Sequence, residues 1–479
     1  MFLEQVRRYQ SCRNFSKLFL HLTCAGKTAL MAKVASLVAA TSDHPVLIRF
    51  CGTSPGSGNA RDVVESLCDH IEYVCGLKKR TTLANYEDLV AYFHELLLAH
   101  PVTLFVDSLD QLTDVDEGRS QISMFKGVRP HTNTRIIVSC LPDSKEAGTD
   151  TVMSYMYLCE TRLREGQVSR VDVTMSRDTP DAALDEAMQI VDFLLKKQNR
   201  SLTHAQRSVM RDKIGEEKEK TALYITLAVR VASKWNSDTD ANVHLKGGVR
   251  PLILQLFSKW ERDYGVILVR RALALLTFSA RGVSDIEMED LLSLDDTVLD
   301  FVFQYATPEV RRLPSHVWLR LHGAMEGLIV EGRGGCWIWY HRQLKEAAET
   351  YFKTEKPAAL YILGKYFGNL VDTDTVAARQ ISKNEWTTCG FSAFVNASEV
   401  NIRRCEEASR SFLMLNTEES LLWAEQELCN FEGICSKLRC KEVAFQLLSD
   451  FNSLLGLLGR DSTSRSATRV RHYWRWLSR

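Results

Sequence analysis

The sequence lacks any uninterrupted apolar run approaching the ~18 residues that cross a bilayer, so membrane insertion is not expected. It lacks a secretory leader pattern as well. Arg7, Arg8, Arg13 and Lys17 are followed only by the short run Leu18-Phe19-Leu20, well below the length of a signal-peptide core. It lacks paired cysteines: thirteen are scattered with no CxxC spacing, and Cys435 and Cys440 have no second pair to complete a zinc site. Reduced, mostly buried thiols and a cytoplasmic location follow as expectations. There is no excess charge of either sign, because Lys plus Arg and Asp plus Glu each number 60. No nucleic-acid footprint is therefore expected. No internal repeat, low-complexity segment or guanine-reading NKxD tetrapeptide occurs.

What is present describes an ordinary globular chain of 479 residues, 45% apolar and 25% charged. That composition can bury a sizeable core, and the length suggests roughly three domains. Residues 1–175 alternate apolar runs with amphipathic stretches. Leu18 to Leu22, Val46 to Phe50, Val102 to Val106, Ile136 to Val138 and Val168 to Val173 read as strands. Lys27 to Ala40, Val63 to Val74 and Tyr86 to Leu98 read as helices between them. This alternation predicts an α/β fold with a mostly parallel sheet and helices on both faces.

Beyond Pro180 the pattern becomes helical. Ala182 to Lys197, His204 to Ile214 and Ala222 to Lys234 form a helical segment over 176–248, ending in the polar, Gly-containing stretch from Asn236. Residues 249–355 hold short helices, with a capping-box pattern Ser284-Asp285-Ile286-Glu287, and one hairpin. The hairpin runs through Leu328-Ile329-Val330 and Cys336 to Tyr340 across a Gly-rich turn, and gives the segment a winged-helix-like pattern. Residues 356–479 read as a further helical region ending in a basic tail. Six of the last twenty residues are Arg, and a frayed end is expected there.

Chemistry concentrates at three strand ends. Gly26-Lys27-Thr28 follows the first strand and opens a helix, the context a phosphate loop requires. Backbone N–H groups there point at phosphate oxygens, Lys27 neutralises β/γ charge, and the Thr28 hydroxyl holds Mg²⁺. The full motif places Gly at position 21, where this chain has His21. A positive φ at that site would make the Cβ costly. Asp107 ends the third strand eighty residues after Lys27, placed to hold the Mg²⁺ water shell, and Asp110 follows where a second acid orients attacking water. Ser139 ends the fourth strand, placed to sense a γ-phosphate. Gly52-Thr53-Ser54-Pro55-Gly56-Ser57-Gly58 lacks a following Lys-Thr/Ser pair and reads as a flexible loop.

In combination these segments resemble the NACHT-type signalling NTPases, and most nearly the NACHT-and-WD-repeat proteins. The resemblance covers roughly residues 18 to 455. It rests on Cys24-Ala25-Gly26-Lys27-Thr28-Ala29-Leu30-Met31, Ile48-Arg49-Phe50-Cys51-Gly52-Thr53-Ser54 and Phe105-Val106-Asp107-Ser108-Leu109-Asp110-Gln111-Leu112. Ala222 to Ala228 is similar to the helix that carries an adenine-side proline, with Ala222 in its place. Tyr340-His341-Arg342-Gln343-Leu344 is similar to the winged-helix segment whose His approaches the bound diphosphate.

The resemblance implies a phosphate site at Gly26, Lys27, Thr28 and Ala29, joined by Ser139 and His341. It implies metal contacts from Thr28 and Asp107, and ATP, ADP and Mg²⁺ as ligands. It further implies an ADP-closed, ATP-open switch with slow hydrolysis, protein partners and self-assembly. No WD-repeat pattern follows within this sequence, and the chain reads as a truncated form or one with a faulty junction before Cys24. His21 and Ala222 also suit a nucleotide-silent scaffold that binds protein partners. A metabolic P-loop kinase would need an Arg-rich lid, which Asp143 to Asp150 does not offer.

Overall fold

A computed structural model of the chain describes residues 17–21, 27–52, 57–80, 83, 85–112, 118, 121–140, 168–172, 180–216, 222–238, 240, 245–306, 308–381, 400–439, 446–459 and 462–477. The Leu22–Gly26 loop, most of the Gly52–Gly58 loop and the Asp143–Asp150 stretch lie outside the described residues. The chain divides into two compact units, Met1–Leu252 and Ile253–Arg479.

The first unit is built on β1 (Lys17–His21), β2 (Val46–Phe50), β3 (Thr103–Asp107), β4 (Arg135–Cys140) and β5 (Val168–Asp172), in the spatial order β2-β3-β4-β1-β5. Every pairing is parallel. Parallel strands need crossovers: α1 (Lys27–Ala39) lies between β1 and β2 in the chain, and α2 (Ala60–Val74) and α3 (Tyr86–Ala99) lie between β2 and β3. Because alternate strand residues point to opposite faces, β3 and β4 feed two cores. Leu104, Val106, Ile136 and Val138 pack among α2 and α3 residues such as Val64, Leu67 and Phe93. Phe105 and Ile137 pack on the other face with Leu30, Met31 and Val34 of α1. The α/β class read from the sequence is the one observed. Asn59 and Asn85 cap α2 and α3 by accepting backbone N–H bonds from Asp62 and Glu87. Helices α4 (Pro180–Lys197), α5 (His204–Glu216) and α6 (Ala222–Ala232) complete this unit, and the division falls within α7 (Val249–Tyr264).

His21 is the last residue of β1, with Cys140 and Asp172 as its register partners. Strand backbone is extended there, so the expected penalty for a Cβ at a positive-φ glycine site does not arise.

The second unit continues with α8 (Val266–Phe278), α9 (Asp285–Ser293), α10 (Asp296–Val302) and α11 (Ser315–Ala324). The hairpin of β6 (Ile329–Glu331) and β7 (Trp337–Trp339) follows. Then come α12 (Arg342–Tyr351), α13 (Lys356–Phe367), α14 (Thr373–Ala378), α15 (Ile402–Leu415), α16 (Glu418–Leu428), α17 (Phe431–Arg439), α18 (Gln446–Leu458) and α19 (Arg465–Leu477). Ser284 and Glu287 form the reciprocal capping box at the start of α9. Glu287 also accepts a two-pronged bond from the buried Arg403 on α15, at 2.8 and 3.0 Å. The expected frayed tail is instead helix α19. Ala467 and Val470, three apart, are buried, and Arg469 reaches Glu425 on α16 at 3.4 Å. Arginine count alone concealed that apolar edge.

Gly282 (φ +85°) precedes α9 where β7 passes close by. A Cβ there would lie 2.1 Å from the Trp337 carbonyl oxygen and 2.6 Å from Ile338 Cγ2. Gly282→Ala combines backbone strain with this clash and should lower stability by about 2 kcal/mol or more in urea unfolding. An unchanged midpoint would contradict this packing.

Candidate nucleotide site

Parallel pairing sends the C-terminal ends of β1, β3 and β4 to one edge of the sheet, and the site forms along that edge. Asp107, last residue of β3, is fully buried. A buried carboxylate requires hydrogen-bond donors to offset lost hydration. Three hydroxyls supply them. Thr28, in the first turn of α1, donates to Asp107 Oδ2 at 2.7 Å across 79 positions of sequence. Ser139 of β4 donates to Oδ1 at 2.5 Å, and Ser108 donates to Oδ2 at 3.3 Å. The two halves of the sequence motif are thus in direct contact.

Ser139, on β4, is fully buried. Its single proton goes to Asp107, and its oxygen accepts the Ser108 N–H at 2.8 Å. That second bond fixes Ser108 in the left-handed region, at φ 58° and ψ 54°. A non-glycine residue held there stores about 1–3 kcal/mol, and such strain clusters at functional sites. The strained residue turns the chain into the short 3₁₀ segment Leu109–Gln111, closed by the Gln111 N–H donating to the Ser108 carbonyl at 2.9 Å. Asp110 lies within this segment, buried, and accepts a bond from the Gln111 side-chain amide at 2.5 Å.

Cys51 follows β2 and donates its N–H to the Asp107 carbonyl at 3.0 Å, extending the β2–β3 ladder. Burial, and next the negative charges of Asp107 and Asp110, hold its thiol well above the ordinary range. That thiol is a spacer beside two carboxylates, with no nucleophilic character at neutral pH.

The sequence singled out eight positions. Thr28, Asp107 and Ser139 converge, and Asp110 lies one turn from Asp107. Lys27 opens α1 and Ala29 is exposed in its first turn, while Gly26 and the Lys27 side chain lie outside the described residues. His341 belongs to the second unit. It caps α12, its Nδ1 accepting the Gln343 N–H at 3.2 Å. Three residues of the site, Ser108, Cys51 and Gln111, stood within the resembling segments but were assigned no role in the sequence.

The donor set suits a hard divalent cation. Thr28 and Asp107 offer oxygen ligands at the sheet edge, the chemistry Mg²⁺ takes. Among the described residues no cluster of three or more His, Cys, Asp or Glu could bind a metal alone. Nor is any helix among them long and apolar enough to cross a membrane.

No protein-family model matches the chain. Its sequence is 26% identical over 349 residues to the mouse (Mus musculus) NACHT and WD repeat domain-containing protein 2, covering 69% of this chain and 19% of that protein. It is 28% identical over 312 residues to the human (Homo sapiens) NACHT domain- and WD repeat-containing protein 1, covering 62% of this chain and 18% of the relative. The chain thus spans about a fifth of the length of these relatives, and the sequence resemblance to them is real over most of its own. Among solved structures, Orc1 of Aeropyrum pernix bound to DNA overlaps 74% of this chain and 93% of its own, at 13% identity and a TM-score of 0.33. DnaA of Aquifex aeolicus bound to AMPPCP overlaps 74% and 92%, at 13% identity and a TM-score of 0.30.

Ser139→Ala would strip Asp107 of one donor and leave the Ser108 N–H unpaired in the interior. The expected loss is about 2 kcal/mol of unfolding free energy, read by denaturant titration of the nucleotide-free protein. A variant as stable as wild type would show that Ser139 does not hold Asp107.

Proposed function

We propose that this chain binds an adenine nucleotide at the C-terminal edge of its sheet and uses it as a conformational switch in signalling. The observation that carries the reading is the Thr28–Asp107 contact at 2.7 Å, which joins the helix start to the acid-bearing strand. The first backbone N–H groups of α1 are orphan donors whose aligned dipoles attract phosphate. Lys27 at that helix start supplies the compensating charge for the β/γ-phosphates. Thr28 and Asp107 are the residues that would hold Mg²⁺, which when bound neutralises phosphate charge. Asp110 orients water, and its burial accords with slow hydrolysis that serves as reset. The missing NKxD tetrapeptide favours adenine over guanine.

The switch itself is read from the NACHT resemblance: ADP favours a closed form and ATP an open, self-associating one that engages protein partners in the cytoplasm. A ligand biases two states only through differential contacts. The NACHT resemblance assigns one such contact to His341.

Titration with ATP and ADP in the presence of Mg²⁺ tests the reading. Wild type should bind both, and Lys27→Ala should weaken binding at least about thirtyfold, the loss of a charge-assisted phosphate contact of ~2 kcal/mol. Its circular dichroism should not change. Equal affinities in the two proteins would move the phosphate site elsewhere. No binding by wild type would support a scaffold that works through its helical region alone.

A further inference from the structure

Helix α19 carries four arginines and no carboxylate between Arg465 and Leu477, a formal charge of +4. Its inward edge is Ala467 and Val470, both buried. Steps of four, three and four residues place Arg465, Arg469, His472 and Trp476 along one line on the opposite side, and all four are exposed. At the helical rise that line is about 16 Å long. Arg469 leans on Glu425 of α16 at 3.4 Å, with half of its side chain still in solvent. Arg475 is exposed beside the line. Trp476 is 55% exposed, more than any other tryptophan among the described residues.

The helix that packs against α19 does not offset this charge. The only ionisable side chain of α18 is Asp450, which is buried and accepts the Lys437 ammonium at 3.1 Å. What α18 exposes instead includes Leu448 and Leu457. Like charges gathered on one helix repel one another, and an anionic partner relieves that cost. The chain as a whole has no excess charge, so the cation is confined to this helix and is not spread as a nucleic-acid footprint. An acidic peptide would answer the arginines and leave the indole in water. The headgroup layer of an anionic bilayer answers both, because arginine meets its phosphates and tryptophan favours the boundary between headgroups and acyl chains.

We infer that the outward face of α19 docks on an anionic lipid surface. Arg465, Arg469 and Arg475 bind headgroup phosphates, and Trp476 seats at the edge of the acyl layer. The helix lies along the surface and does not cross it, since its opposite edge stays packed in the protein. This contact is independent of the nucleotide site and adds a second class of ligand to the chain.

Sedimentation of the full chain with vesicles gives the partition coefficient. The protein should bind phosphatidylcholine mixed with phosphatidylserine, ignore phosphatidylcholine alone, and dissociate as salt is raised. Each arginine at an anionic surface is worth about fivefold in partition, so Arg465→Gln should weaken binding about fivefold and Arg465→Gln with Arg475→Gln about thirtyfold. Tm should stay at the wild-type value in both; if Arg475→Gln upsets the fold, Arg465→Gln alone decides. Lys196→Gln with Lys197→Gln, at the exposed end of α4, removes the same charge and should leave the partition unchanged. Vesicles of brominated phosphatidylserine should quench tryptophan emission, and Trp476→Phe should remove most of that quenching. No binding to phosphatidylserine vesicles, an arginine variant that binds like wild type, or an equal loss in the lysine variant would overturn the inference. So would a protein that takes up poly-glutamate or a single-stranded oligonucleotide but no vesicles, which would give this face a different partner.

Discussion

The buried carboxylate of Asp107 is the constraint around which the first unit is arranged. An ionised group with no solvent contact is tolerated only where donors are fixed in advance. Here the donors come from a helix start, a neighbouring strand and the next residue: Thr28, Ser139 and Ser108. Each demands something of the fold. Ser139 can reach Asp107 only if β4 lies directly beside β3, which is its place in the sheet. Thr28 can reach it only if α1 begins at the same sheet edge, which a parallel crossover guarantees. Ser108 must turn away from the strand at once, and it does so at the cost of a left-handed backbone. The turn that results puts Asp110 and Gln111 beside Cys51 and Gly52. One desolvated charge thereby orders four chain segments.

The second unit solves a similar problem with opposite charge. Arg403 on α15 is 5% exposed, and it is met by Glu287 of α9, the Gly282 carbonyl at 2.9 Å and the face of Phe367, 4.9 Å from the ring centre. Glu407, one turn along α15, accepts the backbone N–H groups of Ala280 and Arg281 at 2.8 and 3.0 Å. A helix far along the chain thus clamps the turn before α9. Glu287 serves twice, as helix cap and as ion-pair partner. Removing one member of such a buried set leaves the others uncompensated, so the network specifies geometry more than it adds stability.

Much of this was legible because it is local. The runs leading to Asp107 and Ser139 are short and apolar, and they became strands within two residues of where they were read. Ser284-x-x-Glu287 is a spacing whose physics is complete within four residues. The hairpin was visible for the same reason, with Gly334 and Gly335 taking the positive φ its turn needs. What escaped depends on distant partners. Ser139 was read for a phosphate; that its hydroxyl donates to Asp107 is set by strand order. His21 was read against a glycine template, and pairing on both sides makes its backbone plain strand. The arginines of α19 suggested a loose tail, because its burial rests on Ala467 and Val470 meeting other helices. The contact of Gly52 with Gln111 joins two loops and leaves no mark in either alone.

The central claim is that the Thr28–Asp107 edge is a working nucleotide site. The most direct measurement is the nucleotide content of the protein purified under native conditions, released by acid and resolved by chromatography. The account predicts adenine nucleotide, chiefly ADP, approaching one equivalent per chain. Protein that carries none, and takes up none when incubated with Mg²⁺ and ADP, would contradict it.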